Sequence, residues 1–158
     1  MNKKIKKILL KKNISKIVSL TAYSKSISKI LDKYVDIVLV GDSMANVLYG
    51  HKNTHKITLE NIIQHTKSVK MGIKKSLLVV DMPKDSYNNK KNTIKNVKLL
   101  IKKTGCDAVK LENYKQNYKF IEELVKKKIP VMGHIGNTPQ FKKKFKIAGQ
   151  TKTETQNH

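Results

Sequence analysis

The sequence predicts an α/β protein with a parallel sheet, and three observations carry that expectation. Short apolar runs rich in β-branched residues recur along the chain, segments with helical apolar spacing lie between them, and polar residues gather where the runs end. Continuous apolar runs suit strands covered on both faces, which is how parallel strands are buried. Strand and helix alternating this often is the pattern of an α/β fold.

Taken in order, the first strand candidate is Ile17-Val18-Ser19-Leu20, and Ile27, Ile30, Leu31 and Tyr34 after it form one helical stripe. Asp36-Ile37-Val38-Leu39-Val40 is the second strand. Thr58 is an N-cap candidate for a second helix carrying Ile62, Ile63, His65 and Val69, on which Thr66 and Lys67 read as solvent-facing. Leu77-Leu78-Val79-Val80 is the third strand. Ile94, Val97, Leu100 and Ile101 mark a third helix, stopped by Gly105 where a left-handed backbone favours glycine. Asp107-Ala108-Val109-Lys110-Leu111 forms the fourth strand. Phe120, Ile121, Leu124 and Val125 give a fourth helix, which ends before the fifth strand, Ile129-Pro130-Val131-Met132. Residues 150–158 read as a frayed polar end, and no linker divides the chain.

The next choice is between an open sheet and a barrel. An open nucleotide-binding sheet would carry a Gly-rich turn after its first strand. This chain continues instead with Thr21-Ala22-Tyr23-Ser24. Polar residues close every later strand: Gly41-Asp42-Ser43, Asp81-Met82-Pro83, Lys110-Leu111-Glu112 and Gly133-His134-Ile135-Gly136. Functional groups at the C-terminal mouths of several strands are the layout of a (β/α)8 TIM barrel. A full barrel takes about 250 residues. The 158 residues here are therefore expected to form a single partial TIM-barrel domain, 1–158, with about five of the eight strand–helix units.

Composition narrows the functional classes. A hydrophobic content of 39% is enough for a core, and no apolar run approaches the length of a membrane span. The basic start, MNKKIKKILLKKN, has only Ile8-Leu9-Leu10 as an apolar stretch, too short for a secretory signal, so a cytoplasmic location is expected. The lone Cys106 has no partner for an intrachain disulfide and reads as a small buried residue. The formal charge is +23, and all 34 basic residues are lysine, scattered among Asn and Ile. Arginine, whose planar fork reads guanine and phosphate, is absent. This pattern reads as compositional drift without a specific nucleic-acid partner, although salt-sensitive adhesion to polyanions is expected.

Asp42, Asp81 and Glu112 end successive apolar strands and would converge on one mouth. Alone they would repel one another and raise each other's pKa values. A hard cation relieves that repulsion, and Mg²⁺ favours a few carboxylates completed by water and substrate oxygens. The alternative for each is a cap on the helix that follows. Ser43 can donate to a substrate carboxylate, and Lys110 brings a positive charge to the same anion. A lysine inside a buried strand is costly unless paired, so a plain Lys110–Glu112 pair stays open as the alternative. The alternation Lys110-Leu111-Glu112 puts both polar residues on one strand face, the barrel interior. His134, between Gly133 and Ile135-Gly136, either bonds substrate or orients its loop. His65 reads as packing behind the site. His51 and His55 imitate a metal pair but sit in a Gly/Asn/Thr-rich loop without a third ligand, and are discounted.

These stretches resemble the ketopantoate hydroxymethyltransferase family. The matching strings are Leu20-Thr21-Ala22-Tyr23, Val38-Leu39-Val40-Gly41-Asp42-Ser43, His65-Thr66-Lys67, Asp81-Met82-Pro83, Asp107-Ala108-Val109-Lys110-Leu111-Glu112 and Pro130-Val131-Met132-Gly133-His134-Ile135-Gly136-Asn137-Thr138-Pro139-Gln140. The resemblance implies a TIM barrel assembled as a homo-decamer. It also implies a Mg²⁺ site at Asp42, Asp81 and Glu112, the Glu acting through water. A 2-oxoacid site at Asp42, Ser43, Asp81 and Lys110 is implied as well. The implied reaction passes a hydroxymethyl group from 5,10-methylenetetrahydrofolate to 3-methyl-2-oxobutanoate, giving 2-dehydropantoate.

Departures from the family pattern set further expectations. Lys84-Asp85 stands where the family usually has Phe-Gly, and Asn113-Tyr114 where it usually has small glycines. Phe145-Lys146-Ile147-Ala148-Gly149-Gln150-Thr151 resembles the stretch before the family's sixth strand. The family's general-base glutamate follows that strand, so no residue of this chain is assigned the proton-abstracting role. Three outcomes follow: a fragment with little activity, an enzyme completed by a separate C-terminal half, or a non-catalytic basic binding protein.

Overall fold

The computed structural model describes residues 2–113 and 118–141. Residues 145–151, the polar end at 150–158, and Tyr114 lie outside the described residues. In chain order the elements are helix α1 (Lys3–Leu10), strand β1 (Ser19–Thr21), α2 (Lys25–Leu31), β2 (Ile37–Val40) and α3 (Met44–Val47). After a 3-10 turn at Thr54–Lys56 come α4 (Leu59–Lys70), β3 (Leu77–Asp81), α5 (Lys90–Thr104), β4 (Ala108–Glu112), α6 (Tyr118–Lys126) and β5 (Val131–His134). All neighbouring strands are parallel, in the spatial order β1-β2-β3-β4-β5. A doubly wound sheet reverses its order at a switch point. This one never does, and strands laid down in sequence with helices between them are the (β/α)8 TIM-barrel arrangement.

Alternation along the strands separates two apolar layers. Val38, Val40, Leu78, Val80, Val109 and Leu111 pack with the helices, whereas Ile37, Leu77, Val79 and Ala108 form a smaller cluster on the opposite, inner face. Asp81, Lys110 and Glu112 stand on that inner face by the same alternation. The buried thiol Cys106 belongs to the outer layer.

Helix α1 was not anticipated from the sequence. Its Ile5 and Ile8 pack on the inner cluster, so it covers the N-terminal end of the sheet. Two aspartates hold it there. Asp36 accepts the Val18 N–H at 3.0 Å and pairs with Lys11 at 2.7 Å. Asp107 accepts the Leu78 N–H at 3.0 Å and takes Asn2 Nδ2 at 2.8 Å and Lys4 Nζ at 3.3 Å. A third acidic residue, Asp32 at the end of α2, accepts three consecutive backbone N–H groups, from Lys74, Lys75 and Ser76, and so ties α2 to the start of β3.

Thr58 caps α4, reciprocally with Asn61, and Gly105 ends α5 with φ 63°. Two expectations are corrected. Thr66 is fully buried, its hydroxyl donating to the Ile62 carbonyl at 2.6 Å, so the buried face of α4 is wider than its apolar residues suggest. Of the α2 stripe, only Leu31 packs on the core, while Ile27, Ile30 and Tyr34 are exposed. The buried face of α2 is instead that of Ser28, which meets Gly72 so closely that a Cβ there would lie 2.2 Å from Ser28 Oγ. Strand β1 is likewise exposed along its length. Among the described residues, no helix is long and apolar enough to cross a membrane.

Candidate active site

Each strand from β2 to β5 delivers a polar group to the C-terminal end of the sheet. Asp42 follows β2, Asp81 ends β3, Lys110 and Glu112 lie on β4, and His134 ends β5. The structure therefore brings together all the site residues named from the sequence, Ser43 among them. Gly41 makes the close approach workable, since a Cβ there would lie 3.0 Å from Ser43 Oγ and 3.2 Å from Asp81 Oδ2.

Neither aspartate caps the helix that follows it, since Ser43 holds the N-cap position of α3. Helix α5 is capped by Asn89, whose side chain accepts the Asn92 N–H at 2.9 Å, which leaves Asp81 free of that duty. Lys110 Nζ lies 2.6 Å from Asp81 Oδ1, so its ion pair crosses to β3. Burial still pushes Asp81 up to about 6, outweighing Lys110, with the Asp42 charge adding to the rise. Burial also lifts Glu112 to about 7, against the pull of the Gln140 N–H. Among the described residues, these three buried carboxylates gather around one paired ammonium group, that of Lys110.

Gln140 was missed as a site residue although it closes the last matching string. It is 2% exposed, and its Nε2 donates to Asp42 Oδ2 at 2.9 Å and to the Met82 carbonyl at 3.0 Å. Its backbone N–H donates to Glu112 Oε2 at 3.1 Å, and its Oε1 accepts from the Tyr87 hydroxyl at 2.5 Å. Nothing in a single sequence marks a glutamine 98 positions from the aspartate it contacts.

The remaining candidates take distinct places. Ser43 Oγ lies 2.7 Å from the Tyr23 hydroxyl, and His65 supports that tyrosine from behind, its Nδ1 2.8 Å from the Tyr23 carbonyl oxygen. His65 Nε2 meets the Tyr49 hydroxyl at 2.8 Å. His134 Nδ1 is buried, 3.4 Å from Glu112 Oε1, and has no hydrogen-bond partner among the described residues. Burial, with Lys110 nearby, holds the His134 imidazole below its ordinary pKa. His51 stacks on Tyr49, whereas His55 lies 3.3 Å from both the Pro139 carbonyl and Lys84 Nζ. Asp85, where the family usually has glycine, adopts φ 67°, a left-handed conformation that glycine takes without strain.

Among the described residues, no three His, Cys, Asp or Glu side chains gather tightly enough to hold a metal by themselves. The donor set nevertheless fits a Mg²⁺ ion, which needs only one or two carboxylates and otherwise takes water and substrate oxygens. Asp42 and Asp81, whose charges act on one another, are carboxylates suited to it, with Glu112 beside them.

The profile of the ketopantoate hydroxymethyltransferase family matches residues 2–158. The 3-methyl-2-oxobutanoate hydroxymethyltransferase of Pelagibacter ubique (strain HTCC1062) is 54% identical over 150 residues, covering 95% of this chain and 58% of the relative. That of Clostridioides difficile (strain 630) is 45% identical over 141 residues, covering 86% of this chain and 51% of the relative. The chain thus spans about half the length of the curated relatives it matches. Among solved structures, 2,3-dimethylmalate lyase, a PEP mutase/isocitrate lyase superfamily member, superposes with TM-score 0.60 at 10% identity, over 84% of this chain and 53% of the other. Phosphonopyruvate hydrolase, solved with oxalate and Mg²⁺, gives TM-score 0.59 at 10% identity, over 73% of this chain and 40% of the other. At such identities these two likenesses speak to the fold alone.

Proposed function

The chain belongs to the ketopantoate hydroxymethyltransferase family, and on that premise we propose that it carries the metal and 2-oxoacid half of a hydroxymethyltransferase site. The reaction would move a one-carbon unit from 5,10-methylenetetrahydrofolate to 3-methyl-2-oxobutanoate, giving 2-dehydropantoate. The observation that carries this reading is the cluster of Asp42, Asp81, Lys110 and Glu112 on adjacent strand mouths.

A 2-oxoacid anion would meet two buried aspartates here, with the Lys110 ammonium already paired to Asp81. A divalent cation on Asp42 and Asp81 resolves that conflict. When bound, Mg²⁺ would act as a Lewis acid toward negative charge developing on the substrate oxygens. The protein's own part is orientation. Ser43, steadied by Tyr23, offers a hydroxyl to the substrate carboxylate, and Lys110 holds Asp81 in place while presenting its charge to the same anion. His134, beside Glu112, offers a ring nitrogen at the rim of the site.

Proton abstraction from the substrate C3 is assigned to a carboxylate outside these residues, on the strands that close the barrel. The exposed β1 edge and the apolar Ile27, Ile30 and Tyr34 of α2 are the surface those strands and their helices would cover. The homo-oligomer implied by the resemblance and the cytoplasmic setting expected from the sequence belong to the same reading. The test is 2-dehydropantoate formation by the purified chain, alone and mixed with a polypeptide carrying the remaining barrel units. Turnover only in the mixture is expected. A family-typical rate from the chain alone would overturn the assignment of the base, and no turnover in a folded mixture would overturn the activity.

A further inference from the structure

We infer that Gln140 is a positioning residue, whose side-chain amide fixes the Asp42 carboxylate so that one oxygen stays turned toward a divalent cation. The inference rests on the metal reading above and deepens it. Gln140 joins the loop after β5 to the mouths of β2, β3 and β4 through Asp42, Met82 and Glu112. Its orientation is set by chemistry. The Met82 carbonyl and the Asp42 carboxylate only accept, so the NH₂ must face them, and the oxygen is left to the Tyr87 hydroxyl. With Oδ2 of Asp42 held by that donor, rotation of the carboxylate is blocked. Fully buried and held at both ends, the amide has no freedom to adapt if Asp42 moves.

Partners that orient a metal ligand contribute through geometry, and their loss weakens metal affinity about 10–100-fold. The experiment is Mn²⁺ binding to the chain, followed by electron paramagnetic resonance, for wild type, Gln140→Met and Gln140→Asn. Each is measured well below its own melting transition. Gln140→Met keeps the volume and loses the donor; Gln140→Asn keeps the amide and loses the reach. Both variants are expected to bind at least about tenfold more weakly than wild type. Gln64→Met, at an exposed α4 glutamine bonded to Glu60, should leave affinity unchanged. A space-filling role predicts instead that Gln140→Met binds like wild type and Gln140→Asn fails. That result overturns the inference and leaves the metal reading standing. Wild-type chain without saturable Mn²⁺ binding overturns both. Should Gln140→Met not fold, Gln140→Asn decides: an affinity within about threefold of wild type, far below a typical loss, overturns the positioning role.

Discussion

Lys110 and Asp81 are register partners on adjacent parallel strands, and their charged groups meet at 2.6 Å on the inner face of the sheet. Parallel neighbours in register project to the same side, so the pair follows from strand alignment and needs no loop to assemble it. A lysine charge is thereby placed against one of two aspartates, and the second, Asp42, is left to Gln140.

Breaking that pair leaves the buried Asp81 charge without its cation. Lys110→Met is expected to lower stability by about 3–5 kcal/mol at pH 8, as measured by urea unfolding. The loss should shrink at pH 5, where Asp81 takes up a proton. The double variant D81N/K110M should recover much of it; a double variant as unstable as K110M alone would contradict the pairing.

Stability without metal should fall as pH rises through the neutral range. Asp81 and Glu112, raised to about 6 and about 7, bind protons in the folded state that the unfolded chain has already lost. Stability rises with pH only where the unfolded chain binds more protons, so the sign here is negative from about pH 4 to about pH 7. His134, held below its ordinary pKa, opposes this slope below about pH 6.5 but is one group against two. Asp32 and Asp36 act oppositely but elsewhere. For Asp32 three backbone N–H bonds prevail over burial, for Asp36 the Lys11 bond leads, and both pKa values lie below the ordinary range, so their stabilisation is lost only in stronger acid. Melting of the chain in EDTA should give a higher Tm at pH 5.5 than at pH 8. Glu112→Gln should flatten the slope.

Added Mg²⁺ should reverse that loss. A ligand that binds only the folded state adds about 2.7 kcal/mol at a hundred times its Kd. Thermal melts at pH 8 with and without Mg²⁺ should separate for wild type and coincide for Asp42→Asn. A Mg²⁺ shift retained in Asp42→Asn would remove Asp42 from the ligand set.

Asp32 satisfies three N–H groups at the start of β3. Asp32→Ala strands them, at about 1–3 kcal/mol for each buried group left unpaired. Chemical denaturation should register a total loss above about 2 kcal/mol, with Asp32→Asn intermediate because its carbonyl still accepts.

Gly72 should tolerate no side chain. A Cβ there would lie 2.6 Å from the Lys25 carbonyl oxygen and 2.7 Å from the Lys29 nitrogen, both backbone atoms that cannot swing aside. Overpacking of this kind costs about 1–3 kcal/mol, so Gly72→Ala should lower Tm measurably, and an unchanged Tm would refute the close contact of α2 with the end of α4.

By itself the sequence determined the strand–helix alternation, the caps at Thr58 and Gly105, and the row of acidic residues at the strand mouths. These are local properties, written in apolar periodicity, in capping chemistry and in which residue follows each strand. Tertiary structure decided the rest. The acidic residues divide into two sets, with Asp36 and Asp107 pinning α1 at one end and Asp42, Asp81 and Glu112 facing each other at the other. A strand-flanking aspartate looks the same in either role, because the role depends on which end of the sheet it occupies and what lies opposite. The apolar stripe of α2 predicted a helix, but its exposure in the fold reflects which surfaces are covered by neighbours, a non-local fact. Gln140 shows the same limit, since its link to Asp42 exists only once five strands have brought the loop after β5 back over the β2 mouth.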